Sequence, residues 1–329
     1  MNIANFFYTY PGMYVTQSFL HGLIAMILVD MAIQAWKIDN PTIRQRFRYA
    51  IILYAIFSFP LYQLVNPERS SVFFRTAALF DSSQWLGMEL FDMISLRIPF
   101  LVFLSLTSLV FLFQELVPVL KHLFEANEGD FDEGTPEDEA LVEEALAPLP
   151  DPKPAVSILD DDDMVLFSSS GRNASVFIST GLLRSLTREQ VQAALAHEAA
   201  HLTRNRRPVL IVVFILRMLM FFNPVVLVEF RRAVRNEEKI CDDIAVSLTK
   251  DPKALAETLK KFYTRNAEEH EAERIPKPGE ISLDDYGHNL QLEGRITRLE
   301  KGLSQKQDSA WFPFMLVLLI AAVINYYVV

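Results

Sequence analysis

Cysteine is almost missing from this 329-residue chain. Cys241 stands alone, so no internal disulfide framework can form. Glycine is scarce, at 11 residues. A basic excess is missing too: 31 Lys and Arg against 41 Asp and Glu leave a formal charge of −10. That balance argues against nucleic acid as a partner, since such a partner needs a basic face to release its counterions. The N-terminus lacks the basic n-region and small-residue cleavage site of a removable signal peptide, so the first apolar stretch is expected to persist in the mature protein. What the chain has in quantity is apolar surface. It is 51% hydrophobic with 25 Phe and a positive mean hydropathy, too apolar for a disordered protein or an ordinary soluble domain.

The acid is concentrated. Residues 125–163 hold fifteen Asp and Glu and one Lys, and the remainder of the chain is slightly basic. Four stretches reach the roughly 20 apolar residues that cross a bilayer: about Val15 to Trp36, Tyr49 to Val65, Ile98 to Leu120, and Trp311 to Val329. Lys37, Arg44, Arg46 and Arg48 follow the first span, which puts that loop in the cytoplasm and the N-terminus outside. Lys301 and Lys306 precede the last span, so the C-terminus is expected outside. With nothing after that span, no extracellular domain is expected. Asp30 and His21 lie inside the first span. Asp30 sits near its cytoplasmic end, where an acid can snorkel to water.

These features divide the chain into a three-span region, 1–122; an acidic, proline-containing linker, 123–163; a soluble region, 164–308; and a final helix, 309–329. The linker reads as a solvated spacer, with a helical turn or two around Glu137 to Ala147. It is also a candidate for docking or self-cleavage. Past it, Met164 to Ser168 and Ser175 to Ser179 read as short strands joined by a Ser-Gly-Arg-Asn turn. Thr187 and Gln190 form a capping box that opens a helix limited by Pro208. Asn223 and Pro224 open a second one. The apolar stretch 209–230 between them must cross the membrane an even number of times or not at all. A buried or membrane-dipping hairpin broken at Asn223-Pro224 is the expectation. Arg204, Arg206 and Arg207, just before it, could meet anionic headgroups or form a solvated helix end.

The chemistry starts at His197-Glu198-Ala199-Ala200-His201, an HExxH motif. Histidines at i and i+4 share a helical face and can bind one zinc ion, and Glu198 is placed to take a proton from an activated water. Glu238 and Asp242, four apart on a later helix, are candidates for the third ligand and for the group that holds a ligand histidine. Cys241, an alternative ligand by softness alone, is expected to point off that face as a buried small hydrophobe.

His197 to His201, Glu238 and Asp242, with Asn173 to Leu183 and Leu248 to Leu255, resemble the HtpX-type membrane zinc endopeptidases. Phe222-Asn223-Pro224, the Cys241-Asp242 pair and the layout of spans resemble the BlaR/MecR-type antirepressor peptidases, without their penicillin-binding sensor domain. The resemblance implies a gluzincin fold with His197, His201 and Glu238 as zinc ligands, Glu198 as base and Asp242 as the outer acid. It implies that the strand before the metal helix, Ser175, Val176, Phe177, Ile178 and Ser179, pairs with substrate backbone. Tyr286-Gly287-His288 resembles the family's His-Pro oxyanion motif without its proline, which makes His288 or Tyr286 a candidate donor.

The fold expected is a predominantly α membrane protein, four transmembrane helices with an inserted cytoplasmic α+β zincin domain. The function expected is a zinc-dependent endopeptidase, multi-pass in a bacterial inner membrane. It would cleave a protein substrate such as a cytoplasmic repressor or a membrane protein, in signalling or in quality control. A non-catalytic zinc-containing receptor or scaffold is the alternative; Glu198, which a structural site does not need, counts against it.

Overall fold

A computed structural model describes residues 6–91, 93–117, 136–151, 153–169, 174–205, 208–272, 283–302 and 310–329. Helices dominate and fall into two compact units. One comprises Met1–Asn127, Val209–Asn236 and Lys306–Val329; the other comprises Glu128–Pro208 and Glu237–Gln305.

In the first unit, α1 (Tyr10–Ala35) starts at Thr9, whose side chain accepts from Gly12 N, with Pro11 in the first turn. The next helix, α2 (Pro41–Val65), repeats the device: Asn40 Oδ1 accepts from Thr42 N at 2.9 Å, and Pro41 opens the helix. Two short helices, α3 (Val72–Thr76) and α4 (Ser82–Gly87), and a small hairpin of β1 (Glu89–Leu90) and β2 (Ile94–Ser95) lead into α5 (Arg97–Phe111). The unit is completed by α9 (Pro208–Leu219), the first half of α10 (Pro224–Thr249) and α13 (Trp311–Tyr326). Among the described residues three helices, Tyr10–Ala35, Pro41–Val65 and Arg97–Gln114, are long and apolar enough to cross a membrane. The fourth expected span is an apolar helix of 16 residues, about 24 Å long.

Asp30 does not snorkel to water. Its Oδ1 accepts from Arg48 at 2.6 Å and its Oδ2 from Arg232 at 2.9 Å, while Glu229 accepts from Arg48 at 3.1 Å and Arg232 at 2.8 Å. Two acids and two arginines from α1, α2 and α10 thus form one neutral network, with the Glu229 side chain fully buried.

The second unit is built on a three-stranded sheet of β3 (Ala155–Leu159), β4 (Leu166–Ser169) and β5 (Ser175–Ser179), in the order β3-β5-β4. Strand β5 pairs parallel with β3, Val176 opposite Val156, and antiparallel with β4, Val176 opposite Ser168. Around it lie α6 (Pro136–Leu146), α7 (Thr180–Ser185), α8 (Arg188–Asn205), α11 (Pro252–Ala272) and α12 (Leu283–Lys301). The expected capping box opens α8: Thr187 N donates to Gln190 Oε1 at 3.1 Å, and Gln190 N to Thr187 Oγ1 at 3.4 Å.

The linker expected over 123–163 is much shorter than that. Residues 136–151 and 153–159 belong to the fold. In α6, Val142 and Ala145 join the core that holds Val176, Ile178, Leu182, Val191 and Leu195. Leu141, Val142, Ala145 and Leu146 form an apolar stripe at helical spacing, while Glu137, Glu139, Glu143 and Glu144 stay exposed. The charge total masked an amphipathic helix. The run Asp160 to Asp163 is the turn between β3 and β4, and it explains Gly181: a Cβ there would lie 2.1 Å from the Asp162 carbonyl oxygen. Residues 209–236 are grouped with the apolar helices instead of the sheet.

Glu229→Gln removes one charge from a buried, paired network and is expected to destabilise the protein by about 3–5 kcal/mol. Thermal unfolding in detergent measures it, and a Tm within a degree of wild type would show the network to be energetically idle.

Candidate metal centre

Helix α8 places His197 and His201 one turn apart, with ring centroids 4.8 Å from each other. Its inner face is made of small residues, Ala193, Ala196 and Ala200, all buried, which lets neighbouring helices approach closely. Helix α10 brings Glu238 against them. His197 Nε2 lies 3.1 Å from His201 Nε2 and 3.6 Å from Glu238 Oε2, and His201 Nε2 lies 3.4 Å from Glu238 Oε1. Donors bound tetrahedrally to zinc at about 2.1 Å are about 3.4 Å apart, so the triangle fits such an ion. Among the described residues this is the group of three donors that meets within 4.8 Å.

Behind the triangle, His197 Nδ1 stands 3.1 Å from Asp242 Oδ1. Asp242 is completely buried and is held from its other side by Arg295, whose Nε donates to Oδ2 at 2.9 Å and whose Nη2 donates to Oδ1 at 2.7 Å. Arg295 Nη1 also sits 2.9 Å from Glu238 Oε2. One guanidinium therefore bridges the two acids of α10, as its planar array of donors allows. Arg295 is the site residue that sequence reasoning missed. It closes the stretch Tyr286 to Arg295 that resembles the family's His-Pro and Glu-Arg motif, but no role was read for it there; the other signal is that two acids on one buried helix face demand a cation.

Cys241 does not point away from this face as expected. It is buried, and its Sγ lies 3.5 Å from His201 Nδ1, opposite the nitrogen that faces Glu238. Burial, together with the Glu237 and Glu238 carboxylates, pushes the thiol pKa up, so sulfur sits there as a neutral neighbour of the imidazole. Arg204 is also placed differently from its expectation. It is buried and forms an ion pair with Glu237, and so is withdrawn from any headgroup; Arg206 and Arg207 lie outside the described residues.

Electrostatics keep the Glu238 carboxylate ionised and favour a proton on His197. Burial works against charge on Glu238, but hydrogen bonds from His197 and His201 and the Arg295 charge outweigh it and hold its carboxyl far below the usual range. Burial likewise opposes an imidazolium at His197, yet Asp242 and Glu238 prevail and raise its pKa to about 9.

Glu198, half-buried, lines the same cleft of about 430 Å³ as the three donors, with Leu166, Phe167 and Ser168 on one wall and Leu255, Leu259 and Phe262 on another. This corrects the expected substrate strand. Ser175, Val176, Phe177, Ile178 and Ser179 form β5, which is hydrogen-bonded to a strand on each side and has no free edge to offer. Among the described residues, the strand with an open edge at the cleft is β4. His288 and Tyr286 fall on α12, and their side chains lie outside the described residues.

Residues 172–276 match the family model described as BlaR1 peptidase M56. That stretch contains His197, His201, Glu238 and Asp242 and stops short of Arg295. The chain is 43% identical over 54 residues to the protease HtpX of Alkalilimnicola ehrlichii, covering 16% of this chain and 18% of that one. It is 41% identical over 63 residues to the protease HtpX of Pasteurella multocida, 18% of this chain and 21% of that one. A protease HtpX homolog of Thermoanaerobacter pseudethanolicus is 38% identical over 68 residues, 20% and 22% of the two chains. The chain thus spans about a fifth of the length of these relatives. The resemblance read from the motifs to HtpX- and BlaR-type membrane metallopeptidases is met by both comparisons, over part of the chain.

Metal binding needs a neutral His197. With its metal-free pKa near 9, each pH unit below that value costs about tenfold in apparent affinity from this proton alone. Zinc titrations at pH 7 in buffers of differing ionisation enthalpy should therefore report about one proton released, and zero release would contradict the assignment. Asp242→Asn, which weakens the hold on His197, is expected to lower zinc affinity by about 10–100-fold in a chelator competition.

Proposed function

We propose that the protein is a membrane-bound zinc endopeptidase. The observation that carries this reading is the donor triangle of His197, His201 and Glu238, at zinc-compatible spacings, with Glu198 beside it in a cleft bordered by an open strand edge. A zinc ion held by the three donors would supply Lewis acidity, making water more acidic and a peptide carbonyl more electrophilic. The chain does the rest. Glu198 accepts the proton of the attacking water at its carboxylate and passes it to the departing amide nitrogen. Asp242 and Cys241 orient the two imidazoles, and Arg295 keeps both acids of α10 ionised and in place.

An extended substrate segment would pair with the outer edge of β4, placing alternate side chains toward the cleft. Phe167 of β4 stacks on Phe177 of β5 at 4.9 Å, which stiffens the strand that would receive it. The apolar residues Leu255, Leu259 and Phe262 suit a large apolar side chain beside the cleaved bond. The basic loop after α1 supports a site on the cytoplasmic side, with α13 as a fourth membrane helix and both termini outside. The reading extends to a protein substrate in that compartment, a repressor or a membrane protein, cleaved in regulated proteolysis or in quality control.

Glu198→Gln is expected to keep its zinc while kcat for peptide cleavage falls by at least about a hundredfold. Measuring metal content and fragment formation on the same preparation checks it. Undiminished cleavage would remove Glu198 from the mechanism, and intact metal binding with no cleavage by the wild type would favour a scaffold.

A further inference from the structure

We propose that α9 and the start of α10 form a re-entrant hairpin that enters the bilayer to about its midplane, with the outer face of α9 against lipid acyl chains. Within the first unit, depth can be read on three helices from one common layer, the network of Asp30, Arg48, Glu229 and Arg232. On α2, seventeen residues separate Arg48 from Val65, about 26 Å, so the network stands near one boundary of a hydrocarbon core of about 30 Å. Towards the other boundary, Gly22 of α1, Ala55 of α2 and Val225 of α10 meet at one point: a Cβ on Gly22 would lie 3.0 Å from Ala55 Cβ and 3.3 Å from Val225 Cγ1. From the network to that point is eight residues on α1, seven on α2, and four (Glu229) to seven (Arg232) on α10, or about 6–12 Å. On all three helices the point lies on the same side of the network, and the hairpin turn at Met220 to Asn223 lies just beyond.

The length of α9 fits that depth and no other. Its 12 residues span about 18 Å, enough to reach the middle of the core and too little to cross it. One face packs inward: Val213 and Met220 share a cluster with Ile52, Ala55, Ile56 and Val226. The opposite face, Ile211, Ile215 and Leu219, is 52–66% exposed, continuous in character with Leu53, Phe57 and Leu61 on the outside of α2. No charged residue breaks that face. Arg217, the sole charge between 208 and 223, is turned inward, its guanidinium 4.7 Å from the Phe111 ring and 5.4 Å from that of Phe230.

Several backbone groups of the turn are satisfied internally, as hydrocarbon demands. Asn223 N donates to Met220 O at 2.9 Å and Met220 N to Leu216 O at 3.2 Å. Asn223 Oδ1 accepts from Val225 N at 3.0 Å, and Asn223 O accepts from Leu227 N at 3.1 Å. A helix lying flat on the surface would instead need a polar face, and α9 has none.

The test uses the full-length protein in liposomes, in a Cys241→Ala background with single nitroxide labels at Ile215→Cys and Leu219→Cys. Lys37→Cys serves as the water reference and Phe57→Cys as the hydrocarbon reference. Both hairpin labels should match Phe57 in collisions with oxygen and show about fivefold fewer collisions than Lys37 with a water-soluble nickel chelate. A nickel collision rate equal to that of Lys37 would place the face in water. Protection from both quenchers would mean that protein covers it. Either result overturns the proposal. Should the labelled chains misfold, Leu219→Trp quenched by acyl chains brominated near the midplane, and not by those brominated near the headgroup, reports the same depth with Cys241 intact. An impermeant maleimide must reach Thr203→Cys and Arg235→Cys from the same side of the vesicle. Labelling from opposite sides would make the segment a crossing helix and refute the hairpin.

Discussion

Two carboxylates one turn apart on a buried helix face cannot both be ionised unless cations meet them, and the centre depends on how that demand is met. Glu238 must be charged to serve as a ligand, while Asp242 must be charged to hold His197. Arg295 answers both with one planar group, and His197 answers Asp242 from the other side. A lysine would offer a point charge with no fixed fork and could not hold both acids in one plane. Because the three partners come from α8, α10 and α12, the registers of all three helices are tied to this one pairing. The small residues of α8 and the core of Ala245, Leu255, Leu259 and Ile296 then fill what the polar contacts have positioned.

How much of this was legible follows from which interactions are local. The HExxH spacing, the capping box at Thr187 and Gln190, and the Asn223-Pro224 start of α10 are decided within one or two turns, and the structure places all three where the sequence pattern does. Glu238 and Asp242 share a face by simple periodicity. Arg295 is 53 residues from Asp242, and Asp30 is 202 residues from Arg232, so these pairs are properties of the fold. Cys241 illustrates a geometric limit. Cys241 follows Glu238 by three residues, about 60° round the helix, so it borders that face instead of turning away from it, and its Sγ meets His201 there.

The strands show a different limit. Periodicity correctly marks β4 and β5 but says nothing of β3, because Ala155 to Leu159 lies in a stretch whose charge total suggests solvent. Without β3, β5 looks like an edge strand; with it, β5 is enclosed and β4 becomes the border of the cleft. The expected substrate contact rested on the resemblance, which names the strand before the metal helix, and that strand is the enclosed one. The acids of 136–163 are real surface charge, yet they decorate a folded helix and a turn.

The order of the ligands along the chain has a consequence in time. His197 and His201 precede α9, and Glu238 follows the turn at Asn223, so the donor set is divided by the apolar hairpin. A growing chain carries the two histidines before the hairpin exists, and the carboxylate arrives only after α10 has emerged from it. Arg295 comes later still. A chain that fails to lodge α9 among its apolar helices would hold two histidines without their partner. Assembly of the centre is therefore expected to wait on the packing of that hairpin, so a half-made chain carries no complete donor set.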